Sequence, residues 1–283
     1  MKLVTWNTQW CCGLDGSVSP QRIVDGARAM ADFDVLCLQE IAQGYGGMPG
    51  GPGDQPAQLR ALLPGFQCFY GAAVEEFDAE GRPRRFGNLI ATRLPVARVQ
   101  HHLLPWPADA GVRSMPRMCT VLTLRHPELG WIRVMTTHLE YYSAVQRMAQ
   151  ARALRAIHFE AVAQAHAPPM ADTGASPFQA RPHTPHAILC GDFNLGIAEP
   201  EYTEIQRPCG ESRLQDAWPL VHGSAAHAAT FRLFDRTYGP EPVACDFIFV
   251  SDTLTPHVKQ VEVDLQTRAS DHQPVLVSLS GQR

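Results

Sequence analysis

Short apolar runs, bounded by glycine, proline and polar residues, recur along the whole chain. They are rich in Val, Ile, Leu and Thr, and a run of this kind between turn residues is typical of a β-strand. The pattern predicts strands at residues 2–6, 34–39, 66–70, 88–93, 98–104, 119–125, 131–137, 186–190, 245–250, 258–265 and 274–279.

Amphipathic segments separate these runs and predict helices. The longest covers residues 144–165, where the spacing of apolar positions and the many Ala, Gln and Arg residues favour a helix. A helix is also predicted over residues 19–32, because Ser19 is a suitable N-cap and Pro20 suits the first helical position. Shorter helices are predicted at 56–63 and 200–206. Pairs of strands alternating with single helices predict an α+β protein with two stacked sheets flanked by helices.

Two irregular stretches interrupt this alternation. Residues 44–56 form a Gly/Pro-rich loop, and residues 166–186 are rich in Pro, Ala and polar residues. We expect the second stretch to be a mobile surface insert. The composition does not change across either stretch, so residues 1–283 are predicted to form a single domain.

Composition narrows the class of protein. The chain has 283 residues, 45% of them hydrophobic, which is enough for a large core. Its net charge of -4 and the lack of a Lys/Arg run argue against reliance on non-specific duplex binding. The eight cysteines lack paired C-x-x-C spacing and are expected to be reduced. With no secretory signal or apolar run of membrane-spanning length, we expect a cytoplasmic monomer.

Polar residues stand repeatedly at the ends of the predicted strands. Rigid strand ends are suitable places for groups that must hold their positions closely. The residues concerned are Asn7, Glu40, His138, Glu140, Asp192, Asn194, Asp246, Asp271 and His272. Each has a structural explanation when taken alone, such as an Asx-turn at Asp192 or a turn cap at Asn7. Their joint occurrence at strand ends favours a site.

The residue types indicate the chemistry. Carboxylate and amide oxygens are hard ligands that suit Mg²⁺ or Mn²⁺ better than zinc. Histidines can transfer protons or contact a phosphoryl oxygen, and a neighbouring Asp can orient the ring. Together these groups are what metal-assisted hydrolysis of a phosphate ester requires.

The ordered segments "TWN", "LQE", "THLE", "GDFN" and "SDHQPV" resemble those of the endonuclease/exonuclease/phosphatase family of deoxyribonuclease I-like metal hydrolases. They run from Thr5 to Val275, and "FGNLIATRLPV" is similar to an internal segment of that family, with Thr92 where Ser is common. The resemblance implies a four-layer α/β/β/α sandwich of two mixed sheets with the motif loops at one edge.

The resemblance also implies roles for the motif residues. Asn7 and Glu40 would bind Mg²⁺ or Mn²⁺, with Asp271 as a further ligand or close to one. Asp192 would orient or deprotonate the attacking water, and Asn194 would donate a hydrogen bond to the water or the transition state.

For the histidines, the resemblance implies that His138 contacts a phosphoryl oxygen or protonates the leaving group. His272, oriented by Asp246, would act as a base or as a phosphate-contacting cation. Whether Asp192 or His272 is the base stays open at this point.

The substrate is less well defined. Arg82, Arg84 and Arg85 either grip substrate phosphates or occupy a solvated hairpin tip, and Tyr141 either stacks on a base or packs at a helix start. Further candidates for substrate contacts are Trp10, Arg113, Arg117, Tyr142 and Phe231. We expect a phosphodiesterase acting on DNA, RNA or a nucleotide-like substrate. The alternatives are a phosphomonoesterase or lipid/inositol-phosphate hydrolase of the same family, and a catalytically inactive binding module, which the complete set of motif residues disfavours.

Overall fold

Two six-stranded mixed sheets form the centre of the protein, whose computed structural model describes residues 1–170, 177–178 and 181–281. The strands are β1 (Lys2–Asn7), β2 (Val35–Gln43), β3 (Gln67–Phe77), β4 (Pro83–Thr92), β5 (Val96–Leu103), β6 (Met118–His126), β7 (Gly130–His138), β8 (Ala187–Asp192), β9 (Leu214–Asp216), β10 (Asp246–Ser251), β11 (Val258–Val263) and β12 (Val275–Leu279). The first sheet has the order β11-β12-β1-β2-β4-β3 and the second β5-β6-β7-β8-β10-β9.

Helices cover the outer faces of both sheets. The helices are α1 (Pro20–Met30), α2 (Gln55–Leu62), α3 (Ala144–His166), α4 (Pro200–Gln206) and α5 (Ala217–His222), with a 3-10 helix at Asp252–His257. One apolar cluster joins α1 and α2 to the first sheet, a second fills the space between the sheets, and a third joins α3 and α4 to the second sheet. The predicted α+β class and four-layer sandwich of two mixed sheets are therefore confirmed.

The side chains of β7 alternate between two apolar clusters, which explains why such strands have continuous apolar sequences. Ile132 and Val134 belong to the cluster between the sheets, whereas Met135 belongs to the cluster beneath α3. Successive side chains of a strand point to opposite faces, and both faces are covered here. Almost every position of β7 is consequently buried.

The parallel strand pairs determine where the motif residues meet. β1 pairs in parallel with β2 in the first sheet, and β7 pairs in parallel with β8 in the second. The carboxyl ends of each pair therefore lie at the same edge of their sheet. β10 and β12 run antiparallel to β8 and β1, so their amino ends come to those edges.

Several sequence predictions differ from the structure at the level of single elements. The strand predicted at 186–190 continues through Asp192, and the helix predicted at 56–63 begins at Gln55 behind the N-cap Asp54. The three-residue β9, the six-residue α5 and the 3-10 helix were not predicted, because such short elements contain too few residues for a periodic pattern.

The predicted surface insert overlaps the described residues only in part, whereas all eight cysteines lie within them. The proposed insert starts at His166, the last residue of α3, while residues 171–176 and 179–180 lie outside the described residues. All eight cysteines are free, and all but Cys68 and Cys209 are buried. No helix in the described ranges is both long and apolar enough to cross a membrane.

Candidate active site

The strand ends bring polar residues of both sheets together. Asn7 is the last residue of β1, His138 the last of β7 and Asp192 the last of β8. Asp192 lies opposite His138 on one side and opposite Asp246, the first residue of β10, on the other. The predicted gathering of motif residues at one edge is thus present in the structure.

Asp192 is the hub of the hydrogen bonds at this edge. Its Oδ2 accepts a hydrogen bond of 2.8 Å from Asn7 Nδ2, and its Oδ1 accepts one of 2.9 Å from the backbone N–H of Asn194. The Nε2 atoms of His138 and His272 lie 3.4 and 3.7 Å from Asp192 Oδ2. A group approaching Asp192 therefore meets both imidazole rings.

Phe193 lies between the two polar residues of the "GDFN" segment and is fully buried in the apolar cluster beneath α3 and α4. Its ring contacts those of Phe247 and Phe249 at 6.0 and 5.1 Å between centroids. The alternation of side chains along extended backbone predicted this inward direction. Phe193 anchors the turn that presents Asp192 and Asn194.

Two of the motif residues have left-handed backbone conformations. Glu40 has φ of 60° and lies in β2 at a bulge, where the register to β4 shifts between Leu38 and Ile41. Asn194 has φ of 52°. Bulges re-aim side chains, and non-glycine residues with positive φ are uncommon and cluster at functional sites. The bulge directs Glu40 into the site, where Asn7 Nδ2 donates a 3.1 Å hydrogen bond to its carboxylate.

His272 is held on two sides. Its Nδ1 lies 2.8 Å from Asp246 Oδ2, and Phe231 stacks on its ring at 4.3 Å between centroids and 17° between planes. The Thr230 hydroxyl fixes the start of β10, because it accepts hydrogen bonds of 3.1 Å from the N–H groups of Cys245 and Asp246. The predicted orientation of His272 by Asp246 is present in this geometry.

Three carboxylates lie at the floor of the site: Asp192 is buried, whereas Glu40 and Asp271 are partly exposed. Burial raises the pKa of Glu40 to about 7, and the charge of Asp271 adds to that shift. Burial also raises the pKa values of Asp192 and Asp271 above the ordinary range. A divalent cation would relieve this concentration of negative charge, and carboxylate and amide oxygens are the donors that Mg²⁺ and Mn²⁺ prefer. The donor set of Asn7, Glu40 and Asp271 therefore fits the predicted metal.

A second group of potential ligand atoms lies close by. One ligand atom from each of Asp192, Cys245, Asp246 and His272 falls within 4.8 Å of the others. The pKa of the Cys245 thiol is raised well above its ordinary value, mainly by burial, so the thiol stays protonated and is a poor ligand. Asp246 is also engaged with His272, which leaves fewer free ligand atoms in this group.

The two histidines differ in their charge. Burial lowers the pKa of His138 well below its ordinary value, and the charges of Arg117 and His272 lower it further. Burial alone would also lower the pKa of His272, but the carboxylates of Asp246 and Asp192 outweigh burial and raise it well above the ordinary value. At neutral pH His138 is therefore neutral and His272 is an imidazolium.

The tautomer of His138 follows from its neighbour. Asn194 Nδ2 lies 3.0 Å from His138 Nε2 and also donates to the carbonyl of Leu139 at 2.9 Å. An amide nitrogen donates only, so Nε2 of the neutral ring is the acceptor and Nδ1 carries the proton. That proton faces Glu40, whose carboxylate lies 3.9 Å from Nδ1.

A cavity of about 500 Å³ opens above these residues. Its lining combines the acidic and histidine floor with two arginines and many apolar and aromatic side chains. The lining residues are Gln9, Trp10, Glu40, Tyr45, Met48, Val74, Phe86, Arg113, Met115, Arg117, His138, Tyr141, Tyr142, Asp192, Asn194, Phe231, Tyr238, Asp271 and His272. A cavity of this size with converging polar groups is typical of a small-molecule or catalytic site.

Arg117 is a buried cation in the wall of this cavity. Its Nε donates to Glu140 Oε2 at 3.2 Å, while its Nη1 has no hydrogen-bond partner among the described residues. The other carboxylate oxygen of Glu140 accepts the backbone N–H groups of Tyr141 and Tyr142, each at 3.0 Å. Glu140 therefore fixes both the guanidinium and the adjoining tyrosines, and leaves Arg117 a donor for an anion.

The predicted substrate-contacting residues fall into two groups. Tyr141 lines the cavity. Arg82, Arg84 and Arg85 lie around the β3–β4 hairpin outside the lining, where Arg82 donates to two carboxylates of the hairpin at 2.7 and 2.8 Å and Arg85 donates to Glu75 at 2.7 Å. Their contact with a substrate stays a prediction.

Sequence reasoning missed other residues of the cavity. Met48 and Tyr238 lie on loops, away from strand ends, and so lacked the signal that identified the motif residues, whereas Gln9 follows the end of β1 by two residues and was not selected. The Gly/Pro-rich composition of residues 44–56 marked the loop around Met48 but not its contribution to the site. For Tyr238 no pattern in the sequence indicates the position.

Gly191 is required by the close approach of β8 to β7. It has φ of 138°, and a Cβ there would lie 1.9 Å from the carbonyl oxygen of Thr137. We expect Gly191→Ala to lower the free energy of unfolding by about 3 kcal/mol or more, since the strands must separate beside Asp192. Urea denaturation measures the loss. Gly196→Ala is the matched control, because no atom lies within 4 Å of its added Cβ; equal stabilities of the two variants would contradict this packing.

Comparisons with known proteins agree with the architecture. The sequence model of the Endonuclease/Exonuclease/phosphatase family matches residues 4–272. No curated protein matches the chain significantly. Among solved structures, an endonuclease/exonuclease/phosphatase from Beutenbergia cavernae is 24% identical, with a TM-score of 0.67 over 99% of this chain and 72% of its own.

Two further solved structures have similar folds. The mannosyl-6-phosphatase Bt3783 of Bacteroides thetaiotaomicron is 19% identical, with a TM-score of 0.66 over 99% of both chains. Truncated Caenorhabditis elegans TDP2 is 17% identical, with a TM-score of 0.61 over 98% of this chain and 96% of its own. At these identities the similarity establishes the fold alone.

Proposed function

The chain belongs to the endonuclease/exonuclease/phosphatase family of phosphoric ester hydrolases, and we propose that it is a divalent-metal-dependent phosphodiester hydrolase. The observation that carries this proposal is the position of Asp192. Its carboxylate lies at the floor of a cavity, hydrogen-bonded to Asn7 and within 3.7 Å of both His138 and His272. A base, a cation and proton donors thus surround one space in which a phosphoryl group fits.

The metal would be held by Asn7, Glu40 and Asp271. When bound there, Mg²⁺ or Mn²⁺ supplies Lewis-acid stabilisation of the charge that develops on the phosphoryl oxygens. Asn7 also donates from Nδ2 to both Glu40 and Asp192, at 3.1 and 2.8 Å, and so fixes the metal ligand relative to the proposed base.

Asp192 is the proposed general base. Burial raises its pKa towards neutrality, which makes it a stronger base than an ordinary aspartate while it is still ionised at neutral pH. Asn7 and the backbone N–H of Asn194 hold its two oxygens, so the direction of its lone pairs is fixed. His272 is already protonated at neutral pH and cannot take the proton of the water.

The histidines and Arg117 stabilise the phosphoryl group in this account. His272, oriented by Asp246, presents its Nε2–H as a cationic hydrogen-bond donor. Arg117 adds its unpartnered Nη1 from the cavity wall. Asn194 keeps neutral His138 in one tautomer, so the ring contributes as a positioned polar group close to Glu40. Charge-assisted donors of this kind act most strongly where water is excluded.

We infer that the diester is a nucleic acid or a nucleotide-like compound, because tyrosines of the cavity offer stacking surfaces. A phosphomonoesterase or a lipid/inositol-phosphate hydrolase is the second candidate. The full-length similarity to a protein named mannosyl-6-phosphatase supports the phosphomonoesterase as the second candidate.

Chromogenic esters separate these candidates. We expect the protein to release p-nitrophenol from bis-p-nitrophenyl phosphate with Mg²⁺ or Mn²⁺, and to hydrolyse p-nitrophenyl phosphate more slowly. Phosphate release from the monoester alone would instead establish a phosphomonoesterase. A panel of single- and double-stranded DNA and RNA then tests whether a nucleic acid is the natural diester and which form is preferred. Inertness towards every ester at any metal concentration would refute a catalytic function.

A further inference from the structure

A continuous series of aromatic rings leads from the catalytic floor to the surface. Phe231 stacks on His272, and the centroid of Tyr238 lies 6.1 Å from that of Phe231. Tyr141 follows at 6.2 Å from Tyr238, and Tyr142 at 4.8 Å from Tyr141. We call Phe231, Tyr238, Tyr141 and Tyr142 the ring series. Tyr238 and Tyr142 line the cavity and remain 48% and 47% exposed.

A second aromatic group lines the same cavity from the other sheet. Trp10 follows β1, while Tyr45 and Phe86 lie at β2 and β4, so all three belong to the first sheet and its loops. Tyr45 and Phe86 meet edge to face at 6.4 Å, and Trp10 is fixed by a 3.1 Å hydrogen bond from its Nε1 to the carbonyl of Pro49. The cavity thus has aromatic surfaces from both sheets above one phosphate-binding floor.

Unusual backbone conformations position Trp10. Gln9, Trp10 and Cys11 have consecutive φ angles of 48°, 44° and 57°. Three successive non-glycine residues in the left-handed region are costly and persist only where the surroundings hold them. The buried side chain of Gln55 does so by donating to the carbonyl of Trp10. This arrangement brings an indole ring to the cavity, where it remains only partly buried.

We propose that the substrate is a small phosphate ester carrying a planar ring, which lies between these two aromatic surfaces while its phosphate occupies the floor. The proposal rests on the proposed function, because it uses the same floor. A cavity of about 500 Å³ has the size of a small-molecule site. Aromatic side chains stack on any planar ring, and both nucleobases and simple aryl groups offer that chemistry.

The distribution of cations favours a small substrate over a duplex. Arg113 and Arg117 are the arginines among the described lining residues, and the Arg113 guanidinium lies 5.7 Å from the ring centroid of Tyr142. Arg82 and Arg85 of the nearby hairpin are paired with carboxylates of their own hairpin. Duplex binding depends on many free cations along the phosphate backbone, whereas two suffice for one or two phosphate groups.

Paired ligands test the proposal by direct binding. The Asp192→Asn protein is used with Mg²⁺, so that no ligand is consumed during calorimetry. One pair is phenyl phosphate and methyl phosphate, and the other is adenosine 5′-monophosphate and ribose 5-phosphate. We expect the ring-bearing member of at least one pair to bind about tenfold more tightly, which corresponds to the stacking of one ring. The pair that shows the preference identifies the preferred ring as a simple aryl group or as a nucleobase.

Ring variants in the same background locate the contact. We expect Tyr238→Leu to reduce the preference for the ring to about twofold or less, whereas Tyr238→Phe keeps it. Phe77→Leu is the control, because this ring is 66% exposed on β3 and lies outside the cavity lining. Equal affinities within both pairs, no binding of the ring-bearing ligands, or an unchanged preference in Tyr238→Leu would each overturn the proposal.

A duplex competitor tests the size of the substrate. We expect supercoiled plasmid at a similar phosphate concentration to leave the binding of the ring-bearing ligand unchanged, and displacement by plasmid would overturn this part. Failure of the proposed function would give a different result from failure of this proposal. The wild-type protein would then hydrolyse none of the chromogenic esters with metal, while the preference for a ring could persist in the binding experiment.

Discussion

Asp192→Asn is expected to lower the rate of metal-supported phosphodiester hydrolysis by about 10³-fold, the middle of the range that a general base contributes. Asparagine has the same shape and can still accept from Asn7 through its amide oxygen, although its NH2 group then faces the backbone N–H of Asn194. It cannot take a proton from water. The effect should fall on kcat, because the floor of the cavity keeps its shape. Steady-state kinetics with bis-p-nitrophenyl phosphate measure it.

The stability of this variant separates catalysis from folding. Burial raises the pKa of Asp192, which means that the folded protein disfavours its ionised form. At neutral pH, above that pKa, removing the charge removes an unfavourable desolvation, which offsets the lost hydrogen bond from the Asn194 N–H. The free energy of unfolding should therefore change by about 1 kcal/mol or less. A rate within tenfold of wild type would exclude Asp192 as the base.

Arg117→Met is expected to reduce kcat/KM by about 10²-fold or more through loss of a donor to the phosphoryl group. The same change leaves Glu140 buried without its cationic partner, and breaking a buried pair in this way costs about 3–5 kcal/mol of stability. Both side chains are at least 94% buried, so water cannot replace the lost partner. Kinetics and urea denaturation measure the two effects separately.

The double variant Arg117→Met/Glu140→Gln distinguishes these two roles. Glutamine can still accept the N–H groups of Tyr141 and Tyr142 through its amide oxygen but leaves no buried charge. We expect most of the stability to return while activity stays low. Recovery of both stability and activity would mean that Arg117 only supports the fold, and that the phosphoryl group depends on other donors.

The fold and the motif residues were predictable because they leave local signals. Asn7, Asp192 and His272 each adjoin an apolar run, and side-chain alternation correctly predicted the inward direction of Phe193. The strand prediction stopped at residue 39, just before Glu40, because a bulge with a left-handed residue breaks the alternating pattern. The strand in fact continues to Gln43 on the far side of the bulge.

Contacts that depend on the pairing of a hairpin or on the packing of loops were not predictable in the same way. Arg82 and Arg85 adjoin a motif segment in sequence, yet carboxylates of the hairpin, which lie on the facing strand and turn, engage both. Tyr238 lies in an irregular loop and reaches the cavity only because Phe231 and the Thr230 backbone fix that loop against His272. Sequence patterns report local periodicity, whereas these placements depend on the packing of several loops.

The most direct test of a metal-dependent hydrolase is a titration of chelator-treated protein with Mg²⁺ and with Mn²⁺, while hydrolysis of bis-p-nitrophenyl phosphate is followed. We expect no turnover in EDTA and saturable recovery on addition of either metal. Glu40→Gln, which removes one charged metal ligand, should need at least about tenfold more metal for half-maximal rate. Equal turnover in EDTA and in metal, or a metal requirement that Glu40→Gln leaves unchanged, would contradict the proposed site.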